Sequence, residues 1–197
     1  MYAVITGDVK DSQEVSPEKW LPSLKEVLNQ FGREPIDWNI YRGDSFQLVM
    51  APAEAMRASL MIKASMRKFG GLDVRMGIGL GEEEFKGDKV SESNGDVYIK
   101  SGKSFDELKK VTMSVKSGNE EKDKLFNYML ELALLRMNEW PPATASVVYA
   151  QLKYPDLIQS QLAKKLKKSQ SSVSEALSRA GFDEIIRLKD FFAFFYL

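Results

Sequence analysis

Along the N-terminal part of the chain, apolar positions switch between the two-residue period of a strand and the longer period of a helix. Residues 2–5 form a short apolar run, which predicts a strand ending at Gly7 and Asp8. Residues 17–31 and 53–69 carry apolar side chains at helical spacing and predict two helices. Strands and helices therefore alternate in this region.

A hairpin and a further strand extend this pattern. The β-prone runs 38–42 and 46–50 flank a Gly-Asp turn at 43–44. Residues 74–80 predict a strand, and its glycines indicate close packing of another backbone rather than phosphate binding. The order strand–helix–strand–strand–helix–strand is typical of a ferredoxin-like α+β fold, in which two helices cover one face of an antiparallel sheet.

The remainder of the chain is mostly helical in pattern. Residues 96–108 predict a helix or an irregular turn, 111–115 a strand, and 119–139 a long helix. A Trp-Pro-Pro sequence at 140–142 stops that helix and indicates a domain boundary. We therefore expect an α+β, ferredoxin-like domain over 1–118, a connecting helix over 119–140, and an all-α domain over 141–197.

The composition excludes several kinds of chemistry. The chain has neither cysteine nor histidine, which excludes disulfides, zinc–thiolate sites, cysteine nucleophiles and serine–histidine triads. Any acid–base or metal chemistry must therefore depend on Asp, Glu, Lys or Tyr. The N-terminus lacks the basic segment of a signal peptide, and no run approaches the roughly 18 apolar residues of a membrane span. We expect a cytoplasmic protein with no membrane partner.

The net charge of zero conceals a difference between two parts of the chain. Residues 141–197 carry eight basic and five acidic side chains, a net charge of +3. The remaining residues carry 20 basic and 23 acidic side chains, a net charge of −3. A modest basic bias of this kind suits a polyanionic partner.

Two short helices joined by a tight turn are predicted in the basic part. Residues 161–166 form the first helix, 167–169 the turn, and 170–180 the second helix, which begins after Ser169 and ends at Gly181. Polar residues at the start of the second helix can reach base edges and phosphates of duplex DNA, while neighbouring lysines contact its backbone. The predicted DNA-binding residues are Lys164, Lys165, Lys167, Lys168, Ser169, Gln170, Ser171, Ser172 and Ser174.

This segment resembles the helix-turn-helix of MarR-like and related bacterial regulators, through the Gln-Leu-Ala sequence at 161–163 and the run 169–177. The resemblance implies a helix-turn-helix domain of the winged type. One departure lies in the turn, where the pattern has glycine and then an aliphatic residue, and this chain has Lys167 and Lys168. The alternative is an ordinary helical hairpin with a solvated lysine face.

The C-terminal tail carries more apolar surface than one small module can bury. Ile185, Leu188, Phe192 and Phe195 recur at helical spacing. A subunit interface is one interpretation, and a homodimer would suit paired half-sites on DNA. The alternative is packing on the helix at 119–139 within one chain.

Two aspartates form a candidate metal site. Asp8 follows the first strand, and Asp44 lies in the hairpin turn. Because the first strand and the hairpin pair centrally in a sheet of this order, we expect both carboxylates at one edge. Paired carboxylates suit Mg²⁺, which recruits phosphate oxygens. The alternative is that each aspartate only caps its own turn.

Three motifs together resemble the palm of class III nucleotidyl cyclases, which diguanylate (GGDEF) cyclases share. They are Ile-Thr-Gly-Asp at 5–8, the Gly-Asp-Ser-Phe hairpin at 43–46, and the glycine-containing strand at 74–81. In its layout the chain is similar to the SatD family of bacterial proteins, in which a palm-like domain precedes a helix-turn-helix. The resemblance implies that the two aspartates hold metal ions.

The resemblance also implies roles for other residues. Val9 and Lys10 would lie near a triphosphate. Cyclases carry an Asn and then an Arg after a Gly-Asp sequence, whereas this chain has Ile99 and Lys103 in their places. Phosphoryl transfer depends on positioning and charge stabilisation, so we expect nucleotide binding, with Lys103 contributing, but no efficient turnover and no catalytic residue.

Three functions are compatible with these patterns. The first is a bacterial transcriptional regulator, in which a degenerate cyclase-like domain serves as nucleotide sensor or dimerisation platform for a DNA-binding module. The second is a divalent-metal-dependent nucleotidyl cyclase or nucleotidyltransferase tethered to nucleic acid. The third is a scaffold that binds partners through its Phe-rich tail.

Overall fold

The computed structural model describes residues 1–197 as an α+β fold with one five-stranded mixed sheet and eight α-helices. The α+β class is thus confirmed, and the first six elements follow the predicted order. The strand order is β2–β3–β1–β4–β5, in which the first four strands are antiparallel and β5 runs parallel to β4. The strands are β1 (Tyr2–Lys10), β2 (Trp38–Tyr41), β3 (Ser45–Met50), β4 (Asp73–Gly81) and β5 (Met113–Lys116).

The helices lie on both faces of the sheet and extend beyond it. α1 and α2 cover one face, and α3 packs on the other, against β4 and β1. After α3 the chain forms the short strand β5 and then five further helices. The helices are α1 (Pro17–Leu28), α2 (Ala55–Arg67), α3 (Asp96–Asp106), α4 (Glu120–Met137), α5 (Pro142–Lys153), α6 (Gln159–Leu166), α7 (Gln170–Ala180) and α8 (Phe182–Tyr196).

Strand β1 is longer than predicted. Asp8 does not end the strand but lies within it, opposite Ser45 of β3 on one side and Arg75 of β4 on the other. The pairing with β4 continues to Lys10, which lies opposite Asp73. The prediction of a strand ending at Asp8 is wrong because β1 is the central strand, and its pairing with β4 extends the hydrogen-bonded ladder past the acid.

The glycines of β4 allow α3 to lie directly on the sheet. A Cβ atom on Gly77 would come within 2.2 Å of the Phe105 backbone nitrogen, and one on Gly79 within 2.3 Å of the Val97 carbonyl oxygen. A side chain at either position would therefore push the helix off the strand. This confirms that the glycines serve close backbone packing.

The hydrophobic core continues across the predicted boundary at residue 141. A single cluster of buried side chains includes residues of the sheet, of α1 and α2, and of all the helices from α4 to α8. Buried Trp140 joins the two parts, because its indole N–H donates to the Ala180 carbonyl (3.1 Å) and its own carbonyl accepts from the Arg67 guanidinium (2.9 Å). The all-α part is thus packed firmly on α2 rather than tethered by a linker.

The C-terminal part consists of helices alone. No strand follows β5, and α8 begins immediately after Gly181. The prediction of a winged type is wrong, since the residues that would build a wing instead carry apolar side chains at helical spacing and form α8. No helix in the protein is both long enough and apolar enough to cross a membrane.

Candidate nucleic-acid interface and sheet-edge cavity

Helices α6 and α7 form the predicted pair, with α7 starting and ending at the predicted residues. The inward side chains Leu162, Ala163, Val173 and Ala176 are at most 4% exposed. The two helices pack on α5, which covers the inner side of α7. The other side of the pair has no protein element over it.

The first turn of α7 is capped by its own sequence. The Ser169 hydroxyl accepts a hydrogen bond from the Ser172 backbone N–H at 3.1 Å, as an N-cap serine does. The remaining N–H groups of that turn have no acceptor within the helix. At a helix start they form a partly positive site that favours a phosphate oxygen.

The structure places all nine predicted DNA-binding residues on the exposed side of this pair. Each of these residues is exposed to solvent. No acidic side chain forms an ion pair with any of the four lysines, and the Lys165 ammonium lies 4.2 Å from the centre of the Tyr154 ring. We call these exposed lysine, serine and glutamine side chains the α6–α7 surface (the nine residues 164, 165, 167–172 and 174).

The turn between the helices keeps a helix-ending geometry although it lacks glycine. Lys167 adopts the left-handed conformation (φ 53°, ψ 44°), and the Lys168 N–H donates to the Ala163 carbonyl at 2.9 Å. A β-carbon in this conformation costs roughly 1 kcal/mol relative to glycine. The departure from the MarR-like pattern therefore leaves the turn intact and adds two positive charges to it.

The Phe-rich tail does not cover the α6–α7 surface. Phe192 is fully buried and packs edge-on against Phe126 of α4, with ring centres 5.3 Å apart. Phe191 and Tyr196 also lie against Phe126. The tail therefore packs on α4 within one chain, as the alternative interpretation had it, and leaves Phe194 83% exposed.

Asp8 and Asp44 line one cavity of about 610 Å³, which we call the sheet-edge cavity. It lies at the edge formed by the strand ends, where β1 ends and the turn between β2 and β3 is located. The two aspartate side chains come together because β1 and β3 are neighbours and the hairpin turn carries Asp44 to the level of Asp8. The cavity is strongly polar and contains charges of both signs. Its other lining residues are Val9, Lys10, Asp11, Ser12, Gln13, Glu14, Arg75 and Lys109.

Both aspartates already have partners in this cavity. The Arg75 guanidinium donates two hydrogen bonds to the Asp8 carboxylate, one of them at 3.0 Å, and this pairing raises the pKa of Arg75. Asp44 accepts from the Ser12 hydroxyl at 2.7 Å. A cation at Asp8 would have to displace the guanidinium. No group of three or more acidic side chains is arranged to hold a metal ion, and a Mg²⁺ site stays a prediction.

The predicted nucleotide-binding residues separate in the structure. Lys10 and Val9 line the cavity, with the Lys10 ammonium 3.8 Å from the Asp11 carboxylate. Lys103 is exposed on α3 and does not line it. Ile99, also on α3, is 54% exposed. The cyclase-like positions of α3 are therefore not part of this cavity.

Sequence reasoning missed two basic residues of the cavity. Arg75 lies directly opposite Asp8 in the β1–β4 ladder, a pairing that would have been visible only from the register. Lys109 comes from the segment after α3, and no local pattern distinguishes it from its neighbour Lys110.

No protein-family model matches the sequence, and the search of curated proteins found no match. The resemblances to SatD proteins, to cyclase palms and to MarR-like modules therefore stay predictions.

Proposed function

We propose that this protein is a DNA-binding transcriptional regulator, in which α6 and α7 form a helix-turn-helix that binds duplex DNA. The observation that carries the proposal is the α6–α7 surface, on which four exposed lysines without acidic partners directly precede the exposed first turn of α7 in the sequence. Lysines give salt-dependent affinity for phosphates, and short polar side chains at a helix start give access to base edges.

The shape of the two helices supports the same proposal. α7 has 11 residues and one fully buried side, so the opposite side is free to enter a major groove. Its C-terminus is fixed to the rest of the molecule, because the Ala180 carbonyl accepts from buried Trp140. A recognition helix held in this way would keep its orientation on DNA.

We further propose that the N-terminal part has a palm-like, ferredoxin-like fold and senses an effector. The antiparallel order β2–β3–β1–β4 with α1 and α2 on one face supports that fold. In the sheet-edge cavity Lys10 and Arg75 are paired with Asp11 and Asp8, and Lys109 is the lining cation without an ion pair that would contact the phosphate of an effector such as a nucleotide.

The second candidate is a metal-dependent nucleotidyl cyclase or nucleotidyltransferase. It is favoured by the convergence of Asp8 and Asp44 on the sheet-edge cavity, with Lys10 beside them. Incubation with ATP or GTP and Mg²⁺ tests it. Formation of a cyclic or transferred nucleotide product that Asp44→Ala abolishes would support the enzyme, and the absence of product with both nucleotides would contradict it.

Selection from a random duplex library tests the regulator directly. We expect the protein to enrich a defined sequence, and Gln170→Ala to change the preferred base at one or two positions. Gln161→Ala is the matched control, since Gln161 is exposed on α6 but its side chain accepts from the Ile158 backbone N–H. Absence of any enriched sequence, or an identical sequence after Gln170→Ala, would contradict the role of α7.

A further inference from the structure

Helix α4 has two apolar sides, and only one of them belongs to the core. Phe126, Leu130, Leu134 and Met137 are buried against the sheet and α8. The opposite side carries four large apolar side chains that are 52–70% exposed. These four residues, which we call the outer stripe, are Leu125, Tyr128, Leu132 and Leu135.

The spacing of the outer stripe is that of a helix–helix seam. Its members are separated by three, four and three residues, which is the a/d repeat of two helices packing side by side. In the same repeat, Lys124 and Glu131 occupy the positions along one edge of the stripe, and Arg136 a position along the other. A solvated helix face has no need of this repeat.

The charges beside the stripe determine which helix can cover it. Glu131 and Arg136 are both exposed, and neither forms an ion pair within the chain. In a parallel, in-register pair of identical helices, a residue at the Glu131 position faces the residue five places later on the other helix. Glu131 would then meet Arg136 of the partner subunit, and the two-fold axis would create this contact twice.

An antiparallel pair fits the same stripe poorly. Stacking all four apolar layers in that orientation would bring Glu131 next to its own copy. It would also bring Lys122 close to Arg136 of the partner subunit, so that like charges flank the seam on both sides. Charge complementarity therefore favours the parallel arrangement.

An apolar groove extends the outer stripe on the side of α8. It has a volume of about 560 Å³ and is lined mainly by Met129, Leu132, Ala133, Leu188 and Phe191. Phe194, which also belongs to α8, is the most exposed of the protein's large hydrophobic residues. The groove widens the apolar surface beyond the width of one helix.

We propose that the outer stripe is a dimer interface, at which α4 packs in parallel and in register against α4 of a second copy of this chain. The seam consists of Leu125, Tyr128, Leu132 and Leu135, and Glu131 pairs with Arg136 of the partner subunit across each edge. The interface lies on α4 and is independent of the α6–α7 surface, so the dimer forms without DNA.

Light scattering coupled to size-exclusion chromatography tests the dimer in the absence of DNA. We expect a dimer at micromolar concentration, and Leu132→Glu to weaken it by about a hundredfold or more, because a charge would be buried in the seam. Phe85→Glu is the matched control, since Phe85 is 61% exposed on the loop before α3, and it should leave the dimer intact. A monomeric unmodified chain, or equal effects of both variants, would overturn the proposal.

Cysteine cross-linking tests the orientation, because the chain has no cysteine of its own. Leu125→Cys and Leu135→Cys, made separately, should each give a disulfide-linked dimer on mild oxidation, since each residue faces its own copy. In an antiparallel pair each of these positions would lie about 15 Å from its own copy, ten residues along the helix. A dimer by light scattering that neither variant cross-links would overturn the parallel register.

A charge exchange tests the flanking pair. Glu131→Arg should weaken the dimer severalfold by placing two positive charges together, and Arg136→Glu in the same chain should restore it. Failure of the second change to restore the dimer would show that these two residues do not meet across the interface. Circular dichroism of each variant distinguishes loss of the dimer from loss of the fold.

Discussion

At the scale of single residues, the most informative position is Lys167, which holds a left-handed conformation at the end of α6. Glycine would adopt this conformation at lower cost, and it is the residue most often found in this conformation at the end of a helix. The chain instead places a lysine in the turn, beside the exposed start of α7. Lys167 is thus unfavourable for the fold but adds a charge to the α6–α7 surface, which is consistent with a functional role.

Replacing Lys167 with glycine should therefore stabilise the protein while weakening its binding to DNA. We expect Lys167→Gly to raise the free energy of unfolding by about 1 kcal/mol, measured by urea denaturation. The control is Lys168→Gly, because Lys168 has no positive φ angle and the change should not stabilise the protein. Equal effects of the two substitutions on stability would contradict the strain at Lys167.

The cap of α7 gives a second prediction for a single side chain. Ser169→Ala removes the acceptor of the Ser172 N–H and should cost about 1 kcal/mol of stability. Ser169→Asp keeps an acceptor for this N–H and should retain most of the stability. Ser174→Ala, on an exposed position further along the helix, is the control. A stability change for Ser169→Ala no larger than that for Ser174→Ala would show that the cap contributes little.

At the scale of helices and strands, local signals predicted well and long-range ones did not. The bounds of α7 followed from Ser169 and Gly181, which act on their own neighbours in the sequence. The end of β1 did not follow from Asp8, because pairing with β4 continues to Lys10 and overrode a local turn signal. Strand register also placed Arg75 opposite Asp8, across 67 residues of sequence, which no short pattern could reveal.

Helix α4 illustrates a different limit of sequence reading. The helix over 119–139 is predicted from its apolar residues, but these occupy two sides of the helix, and periodicity alone cannot say which side faces the core. The structure assigns the core to the side of Phe126 and leaves Leu132 outside. The candidate site was thus predictable where it depends on one helix, and unpredictable where it depends on how distant elements meet.

The contact between α1 and α5 gives a prediction about pH. Lys153 of α5 donates to Glu26 of α1 and holds the pKa of that carboxyl below its ordinary value of 4.5. A lowered folded-state pKa means that the pair stabilises the fold above the unfolded value and that this stability is lost as the pH falls through the folded one. Because both side chains are partly exposed, we expect less than about 1 kcal/mol.

Denaturation curves recorded between neutral and acidic pH test this contact. Glu26→Gln should lower stability near neutral pH, and its difference from the unmodified chain should disappear as the pH falls below 4.5. Glu84→Gln, at an exposed loop position that forms no ion pair, is the control. A difference for Glu26→Gln that does not change with pH would show that its charge is not involved.

At the scale of the whole molecule, one core joins the sheet to the helices that carry the α6–α7 surface. Trp140 and Arg67 connect α7 to α2 by hydrogen bonds, and α2 packs on the central strands that also bear the sheet-edge cavity. An effector bound in the cavity would therefore act on a body that is continuous with the proposed recognition helix. A dimer through α4 would carry two such bodies on one two-fold axis, as a palindromic DNA site requires.

The most direct test of DNA binding through α6 and α7 is the salt dependence of affinity for duplex DNA, measured by fluorescence anisotropy. For the Lys164→Ala, Lys165→Ala double variant we predict weaker binding and a slope of log affinity against log salt that is smaller by about two. Lys19→Ala with Lys110→Ala, which removes two exposed lysines elsewhere, should leave the slope unchanged. Unaltered affinity and slope in the first variant would contradict binding through this surface.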